Sequence, residues 1–283
     1  MEIKQLRVSD TLSFFKDRMM NKYNFTEYTD NKLPTIFFGI YTETDLLVLK
    51  RHKGYKVVLW SGTDIDYKNN KNVRIFMKYI KRMKKIHHIS NSKFISDDLK
   101  YYKLPYKNIP VCGVDASKFK PVAKGKKIYI YTSAIKPTKY GSKMYNEVIK
   151  RLPEYKFILA ANTKSIEKAK KLGHKYDKRL ISLKPENMNR IYKQCFVGLR
   201  LTRHDGISYS VIEMGLCGIK CLHNGDQPNA IHYNTVDDIV RAIKKESKKI
   251  GYQHLTLSKQ TKAYLKLDKR WKNTSYYFPK KNI

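Results

Sequence analysis

Short apolar runs alternate along the chain with segments whose apolar residues recur at helical spacing. The runs predict buried strands and the intervening patterns predict amphipathic helices. In the first half we predict strands at 34–41, 56–60 and 86–89, and helices at 45–52, 72–84 and 91–104. In the second half we predict strands at 128–132, 156–160, 180–183, 196–201 and 219–222, and helices at 140–151, 165–172, 185–194, 208–216 and 236–248. Strands that alternate with helices indicate parallel sheets and therefore an α/β protein.

A polar, turn-rich segment at 105–127 separates the two halves and is interpreted as a linker. We therefore expect two Rossmann-like domains that face each other across a cleft, where the carboxyl ends of the strands bind ligands. The expected boundaries are 1–115 for the N-terminal domain and 116–250 for the second. Residues 251–283 are expected to form a helix and a basic tail that can cross back to the N-terminal domain. Residues 1–33 carry no firm prediction.

The charge balance is far from neutral. The 283 residues include 59 Lys and Arg against 24 Asp and Glu, a net charge of +35, while a hydrophobic fraction of 41% excludes a wholly disordered basic protein. So large a surplus repels itself in a compact chain and is best tolerated beside a polyanion. Nucleic acid is the first candidate, followed by an anionic membrane surface or an acidic glycan. Tyrosines interleaved with the lysines suit base stacking beside phosphate contacts.

No apolar run approaches the length of a membrane span, and the N-terminus lacks the apolar stretch of a secretory signal. We therefore expect a soluble, cytoplasmic protein. The four cysteines show no paired spacing and are interpreted as reduced core thiols. Cys217, Cys221 and His223 lack a fourth ligand, so the sequence predicts no resident metal there.

The segment RLTRHDGISYSVIEMGLCG at 200–218 is the most informative for chemistry. A polar loop with Arg203 and His204 follows a predicted strand, and Gly206 allows close approach of a ligand to the backbone. The next helix begins near Ser208, where free N–H groups and the helix dipole favour a phosphate. Ser208 and Ser210 can add hydroxyl donors. Glu213 lies far enough into the helix for its carboxylate to accept hydrogen bonds from ribose hydroxyls.

Asp205 and Glu213 are eight residues apart, and this spacing resembles the Glu-x7-Glu signature of retaining GT-B glycosyltransferases of the family-four type. The family pattern reads E-G-F-G-L-x-x-x-E-A-x-x-x-G; here the residues are D-G-I-S-Y-S-V-I-E-M-G-L-C-G, which match at Gly206, Glu213 and Gly218. The resemblance implies a nucleotide sugar, specifically a UDP-sugar, as co-substrate. It also implies that Glu213 holds the ribose and that Asp205 acts on the donor sugar and diphosphate. The departures at Asp205 and Ser208 leave the donor-sugar contacts open.

A second similarity lies in YTSAIKPTKYG at 131–141, where the family has G-R-L-x-x-x-K-G. Lys139 and Gly141 match the end of that pattern, but Ala134 occupies the arginine position. The resemblance implies that cations here neutralise the donor diphosphate, with Lys136, Arg200 or Arg203 replacing the missing arginine. Ser133, in the same segment, is assigned to the donor site with them.

In the first half the resemblance assigns the strand ends at Gly39, Gly62 and Thr63 to the acceptor side. Asp64 is either the group that deprotonates an acceptor hydroxyl or an ordinary turn residue. Asp64 and Asp66 also form a DxD, the metal-binding motif of GT-A transferases. A GT-A fold would leave the second α/β unit unexplained, so GT-B is favoured, and dependence on a divalent metal stays open.

The sequence thus favours a GT-B glycosyltransferase that modifies nucleic acid. It resembles, in size, charge and expected fold, the bacteriophage enzymes that glycosylate hydroxymethylated pyrimidines in DNA, such as hydroxymethylcytosine, with the target base extruded from the duplex. The alternative is a transferase that acts on a lipid-linked or cell-surface glycan at an anionic membrane. A second alternative is a basic DNA-binding protein without catalysis. P-loop, dinucleotide-binding and zinc-deaminase motifs are absent from the sequence.

Overall fold

The computed structural model describes residues 1–68, 70–131, 138–161, 180–182 and 188–279. The chain divides into two compact units. Unit 1 comprises Met1–Val114, His204–Ile207 and Leu265–Ile283, and unit 2 comprises Asp115–Arg203 and Ser208–Tyr264. Each unit is a parallel sheet with helices, so the predicted α/β class is confirmed.

Unit 1 has six parallel strands in the order β2-β1-β3-β4-β5-β6. They are β1 (Gln5–Val8), β2 (Thr26–Glu27), β3 (Thr35–Phe38), β4 (Lys56–Leu59), β5 (Ile86–Ser90) and β6 (Tyr106–Asn108). Helices α1 (Lys16–Tyr23), α2 (Glu43–Arg51), α3 (Lys71–Ile80) and α4 (Lys93–Tyr101) connect them, and a short 3₁₀ helix spans Asp10–Phe15. The segment 1–33, which carried no prediction, therefore supplies two strands and a helix. The predicted linker contains strand β6, so it is wrong as a wholly irregular segment.

Side-chain bonds determine where the helices of unit 1 begin. Thr42 and Asp45 form a capping box, which starts α2 two residues before the predicted position. Ser92 caps α4 by accepting a hydrogen bond from the Ile95 amide. The first turn of α4 therefore starts later than the sequence pattern predicts.

Strands β3 and β4 of unit 1 are buried on both faces of the sheet. Ile36 and Phe38 pack in one cluster with Leu59, whereas Phe37 packs on the other side with Val58. This alternation follows from the two-residue period of a strand. Continuous apolar strands such as β3 are typical of parallel sheets covered by helices on both faces.

Unit 2 repeats the architecture with the strand order β12-β11-β10-β7-β8-β9, all parallel. Its strands are β7 (Lys127–Tyr131), β8 (Lys156–Ala161), β9 (Leu180–Ser182), β10 (Cys195–Leu199), β11 (Lys220–Leu222) and β12 (Ala230–Ile231). Its helices are α5 (Ser142–Arg151), α6 (Met188–Tyr192), α7 (Tyr209–Leu216), α8 (Val236–Ser247) and α9 (Leu255–Tyr264). The predicted helix at 165–172 lies outside the described residues. The strand order reverses direction between β7 and β10, which makes their carboxyl ends the topological switch point of this sheet.

The C-terminal segment contributes to both units. In unit 2, Ser258 of α9 donates a hydrogen bond to the Leu216 carbonyl at 2.5 Å. Residues 265–279 then pack in unit 1, where Trp271 lies edge-on to Tyr23 with 4.9 Å between ring centroids. The last helix, α10 (Thr274–Tyr277), brings Tyr277 into the same apolar cluster as Ile3. The tail therefore completes the core of the N-terminal unit.

All four cysteines are buried and none is in a disulfide. Burial raises the pKa of the Cys195, Cys217 and Cys221 thiols to about 12. A thiol with so high a pKa is a poor nucleophile and a poor metal ligand at neutral pH. No helix in the described part of the chain has both the length and the apolar composition of a membrane span.

One lysine of the basic stretch at 118–127 lies in the interior of unit 2. Lys124 Nζ is 2.7 Å from Glu246 Oε2, and the two side chains are 0% and 2% exposed. Lys249 Nζ lies 2.6 Å from the other oxygen of Glu246. The pair joins the segment before β7 to the end of α8.

We expect Glu246→Ala to lower the free energy of unfolding by about 3–5 kcal/mol, because it leaves the Lys124 ammonium buried without a counter-charge. Urea unfolding at neutral pH measures this. The exposed Glu154 provides the control, since Glu154→Ala removes the same charge from the surface. Equal stability of the two variants would contradict the assignment.

Candidate functional site

The carboxyl ends of β7 and β10 bring an arginine and two tyrosines together in unit 2. Arg200 directly follows β10, and its guanidinium carbon lies 3.9 Å from the ring centroid of Tyr131, the last residue of β7. The same carbon lies 5.5 Å from the Tyr140 ring, and Lys139 Nζ lies 5.4 Å from that ring. Arg200 is 8% exposed. The switch point of the sheet therefore carries a buried, oriented cation with a second cation beside it.

Helix α7 follows β10 in the chain, after the loop 200–208. Ser208 is its N-cap, but the Ser208 side chain makes no capping hydrogen bond. Instead its hydroxyl lies 3.3 Å from the Ser210 hydroxyl, and both residues are buried. The first turn of α7 thus combines hydroxyl groups with the positive end of the helix dipole, an arrangement that suits an anion.

Glu213 lies further along α7 and is 7% exposed. Its Oε2 accepts a hydrogen bond from the Tyr192 hydroxyl at 2.8 Å. Tyr192, the last residue of α6, packs edge-on against Tyr129 of β7 with 5.3 Å between centroids. The sequence analysis did not identify Tyr192, because nothing in the sequence shows that α6 packs against α7. The tyrosine orients a carboxylate that would otherwise sample several rotamers.

Asp64 joins two strand-end loops of unit 1. Its carboxylate accepts hydrogen bonds from the backbone amides of Gly62 at 2.8 Å, Ser61 at 3.1 Å and Ile40 at 3.4 Å. Asp64 is 1% exposed, and burial raises the pKa of its carboxyl to about 6, against the opposing effect of these amides. A carboxylate so enclosed favours a positioning role over the catalytic role that the sequence suggests.

The predicted acceptor-side residues lie on the loops that Asp64 holds. Gly39 and Gly62 have φ angles of +80° and +145°. Residues with a Cβ atom rarely adopt these angles. The Thr63 carbonyl accepts a hydrogen bond from the Asn70 side chain at 2.8 Å. These glycines therefore allow the backbone to turn at the ends of β3 and β4.

The loop 204–207 belongs to unit 1, although it connects β10 to α7 of unit 2. His204 Nε2 lies 2.6 Å from Asp98 Oδ2 of α4. Ser92 donates a hydrogen bond to the Asp205 carbonyl at 2.9 Å, and the Ile207 amide donates one to Asn91 Oδ1 at 3.2 Å. Successive residues of the loop are thus tied to the segment that begins α4.

Gly206 is the remaining residue of this loop. A Cβ atom at Gly206 would overlap the carbonyl oxygen of Ser61. The sequence analysis attributed this glycine to close approach of a ligand, but the close approach in unit 1 is made by the protein backbone. Asn91, Ser92 and Asp98 escaped the sequence analysis as partners of this loop, because more than a hundred residues separate them from it.

Asp98 is buried and His204 is largely buried, with side chains 4% and 12% exposed, and the His204 ring packs near Phe94 with 5.8 Å between centroids. Burial opposes a charge on the imidazole, but the hydrogen bond that Nε2 donates to the Asp98 carboxylate and the charges of Asp98, Asp66 and Asp205 outweigh it. The pKa of His204 is therefore raised above its usual 6.5. The shift favours the charged form of the imidazole, although burial also raises the pKa of the Asp98 carboxyl.

The other predicted site residues have different positions. Arg203 is exposed. Ser133 and Lys136 lie outside the described residues. Within the described ranges, no three His, Cys, Asp or Glu side chains cluster as a metal site requires. Asp64 and Asp66 are buried, at 1% and 2% exposure, and unit 2 forms a complete second sheet. The GT-A alternative is therefore wrong.

No protein-family model matches the sequence, and no curated protein sequence matches it either. Similarity appears among solved structures. Sucrose-phosphate synthase from Thermosynechococcus elongatus aligns with a TM-score of 0.62 and 12% identity, covering 88% of this chain and 72% of its own. HepE of Anabaena, in complex with UDP-glucose, aligns with a TM-score of 0.62 and 12% identity over 93% of this chain and 97% of its own.

A glycosyltransferase from Rickettsia africae ESF-5 aligns with a TM-score of 0.60 and 12% identity, covering 99% of this chain and 100% of its own. Identities this low describe the fold. The fold is GT-B, with two Rossmann-like units, as the sequence predicted. Two of these neighbours match this chain along nearly their whole length, so the small size of the protein is not unusual for the fold.

We expect the pKa of His204 to depend on Asp98. A pKa of His204 that is raised above 6.5 in the folded protein means that the stabilisation from the protonated imidazole is lost as pH rises through the folded pKa. At acid pH, protonation of the Asp98 carboxyl, whose pKa is raised by burial, removes the other charge of the pair. In Asp98→Asn the His204 pKa should fall below the wild-type value. Titration of the histidine Cε1 resonances by NMR measures this. An unchanged His204 titration in the variant would contradict the pairing.

We expect Asp64→Asn to lower the free energy of unfolding by about 1–3 kcal/mol, because the new NH₂ group faces backbone amides that need an acceptor. Asp10→Asn, at a side chain that is 94% exposed, is the control. Chemical unfolding of the two variants compares them. A stable Asp64→Asn protein that has lost only its activity would support the catalytic role instead.

Proposed function

We propose that this protein is a glycosyltransferase that moves a sugar from a UDP-sugar to a hydroxyl acceptor. The observation that carries the proposal is helix α7 of a GT-B unit. Its N-cap and first turn contain Ser208 and Ser210, and the buried Arg200 directly follows the preceding strand β10. The helix also carries the oriented carboxylate of Glu213. HepE, a neighbour of the same fold, has been solved with UDP and with UDP-glucose.

Each group in unit 2 suits one part of a nucleotide sugar. The Glu213 carboxylate would accept hydrogen bonds from the ribose hydroxyls, as the resemblance implies. The diphosphate would lie at the amino end of α7 with Ser208 and Ser210, and Arg200 and Lys139 would neutralise it. The proposal extends the same role to Lys136, Ser133 and Arg203 from their sequence positions.

In the reaction, the bond between the anomeric carbon and the β-phosphate oxygen breaks, and a bond from that carbon to the acceptor oxygen forms. UDP leaves with the electron pair, and the acceptor proton passes to a base. Negative charge grows on the diphosphate in the transition state. Preoriented cations and helix amides stabilise that charge more than they stabilise the ground state. We propose that Asp205, on the anchored loop 204–207, acts on the donor sugar.

The proposed acceptor is a hydroxymethylated pyrimidine in double-stranded DNA, with the base extruded for reaction. The support is the net charge of +35, which a small-molecule acceptor would not require. A compact GT-B chain of this charge also resembles the bacteriophage enzymes named above. Retention of the anomeric configuration is proposed from the same resemblance.

A second candidate acceptor is a lipid-linked or cell-surface glycan at an anionic membrane. One observation favours it: Leu47 of α2 and Ile75 of α3 are 46% and 53% exposed in a unit rich in basic residues. Exposed aliphatic side chains beside cations suit a membrane surface.

The experiment is to incubate the protein with a panel of UDP-sugars and with DNA that carries or lacks hydroxymethylated pyrimidines, then digest the DNA and weigh the nucleosides. A hexose- or pentose-sized mass gain on the hydroxymethyl nucleoside is expected. Transfer to lipid-linked acceptors without transfer to DNA would select the second candidate. DNA binding without any transfer would select the non-catalytic DNA-binding protein.

We expect Glu213→Ala to weaken the affinity for UDP by about 1–3 kcal/mol, a loss of about 5- to 150-fold, since two ribose hydrogen bonds disappear. Isothermal titration calorimetry measures the affinity. Glu147→Ala on α5, an exposed glutamate of the same unit, is the matched control. Equal affinities in both variants would remove the ribose role from Glu213.

A further inference from the structure

Residues 67–96 of unit 1 form an uninterrupted basic stretch. They contain nine Lys and Arg residues and no Asp or Glu. Of the acidic residues that bound the stretch, Asp66 is 2% exposed and Asp97 pairs with Lys93 at 2.6 Å, so Asp97 neutralises one of the nine charges. The uncompensated charge therefore lies on α3 and the segments around it.

Helix α3 separates its apolar and basic residues by face. Val73, Phe76, Met77 and Ile80 are buried in the core of unit 1. Arg74, Lys78 and Lys81 recur at helical spacing on the opposite, exposed side. The helix thus directs its cations to solvent in one row.

These cations lack counter-charges. Neither Lys68 nor the three cations of the α3 row forms an ion pair with a carboxylate anywhere in the described ranges, whereas the surface cations Arg151 and Arg241 do. Like charges this close repel one another unless an external anion is present. The arrangement destabilises the free protein and favours a polyanionic partner.

Stacked tyrosines lie beside the row. The rings of Tyr67 and Tyr101 stack with 3.9 Å between centroids and an interplanar angle of 12°. Tyr101, at the end of α4, is 54% exposed. Tyr102 meets Tyr101 edge-on at 5.2 Å, and Lys81 Nζ lies 5.6 Å from the Tyr102 ring. The aromatic stack and the cations are therefore one continuous surface.

We propose that this surface, the α3–α4 face (Lys68, Arg74, Lys78, Lys81 and Tyr101), binds a single-stranded segment of nucleic acid. The cations hold successive phosphates, and one base extends the tyrosine stack on Tyr101. Stacking on an aromatic ring beside phosphate contacts is how proteins bind unpaired strands without reading their sequence. The inference goes beyond the proposed function, whose acceptor is a base in double-stranded DNA, because it assigns a separate surface to an unpaired strand.

The composition of the face favours nucleic acid over a membrane. Its exposed rings are tyrosines, and Lys50 and Lys68 lie over the rings of Tyr79 and Tyr67 at 4.8 and 5.5 Å. Membrane-surface helices instead present a broad aliphatic face. Here the large exposed aliphatic side chains described for α2 and α3 are two, Leu47 and Ile75.

The test is fluorescence anisotropy of the full chain with a labelled, mixed-sequence 20-nucleotide DNA strand over a range of salt concentrations. Lys78→Glu/Lys81→Glu should weaken binding at least tenfold. It should also reduce the magnitude of the salt slope by about 1.4, or about 0.7 for each lost phosphate contact. Lys259→Glu/Lys262→Glu on α9 makes the same charge change on exposed lysines of unit 2 and should leave the salt slope close to wild type.

Variants of Tyr101 distinguish the contribution of base stacking to strand binding from that of charge. Tyr101→Ala should weaken strand binding about 5- to 150-fold with an unchanged salt slope. Tyr101→Phe, which keeps the ring, should bind within about twofold of wild type. Heparin, a polyanion without bases, should bind wild type and Tyr101→Ala equally. Circular dichroism melts check that each variant is folded.

The results distinguish this inference from the proposed function. Loss of strand binding in the face variants, without sugar transfer to DNA by wild type, would leave the face standing and overturn the DNA acceptor. If the protein transfers sugar to DNA but variants of the α3–α4 face bind the DNA strand as tightly as the Lys259→Glu/Lys262→Glu control, the proposed role of the face is wrong and the proposed function is unaffected. Binding to phosphatidylserine vesicles but not to the strand, lost on Lys78→Glu/Lys81→Glu, would assign the face to a membrane and overturn the inference.

Discussion

The attachment of the loop 204–207 to α4 and the residues before it is the constraint on which the position of Asp205 in unit 1 depends. The loop connects β10 to α7, the helix that carries the serines and Glu213, yet it packs within unit 1. The His204–Asp98 pair, the bonds from Asn91 and Ser92, and the contact of Gly206 with Ser61 hold four successive residues. A loop fixed at every residue has few conformations, so the backbone on which Asp205 lies is ordered without a ligand.

Several polar residues of the chain act by holding other residues in place. Asp64 bonds three backbone amides and joins the ends of β3 and β4. Tyr192 orients Glu213, and Tyr131 with Tyr140 orients Arg200. Burial makes these contacts strong, because water does not compete with them. The groups left to meet a ligand are thereby kept in a small set of orientations.

The charge of the chain is distributed unequally between structural and surface roles. Lys124 is buried against Glu246 and belongs to the core of unit 2. The cations of the α3–α4 face are exposed and without acidic partners in the described part of unit 1. Lysines that look alike in the sequence therefore differ in function, since burial and pairing decide whether a charge stabilises the fold or attracts a partner.

The sequence by itself determined the α/β class and most of the strands, because buried strands and amphipathic helices follow from local hydrophobic periodicity. The GT-B fold was implied by the resemblance of the Asp205–Glu213 segment to the family-four signature. The sequence also indicated α7 with Ser208, Ser210 and Glu213, since a strand, a polar loop and a helix are consecutive in the chain. The tertiary structure alone decided that Gly206 faces Ser61, that His204 pairs with Asp98 and that Tyr192 meets Glu213. The residues of the last two pairs are 106 and 21 positions apart, and such contacts depend on how helices and loops pack, which no local pattern records.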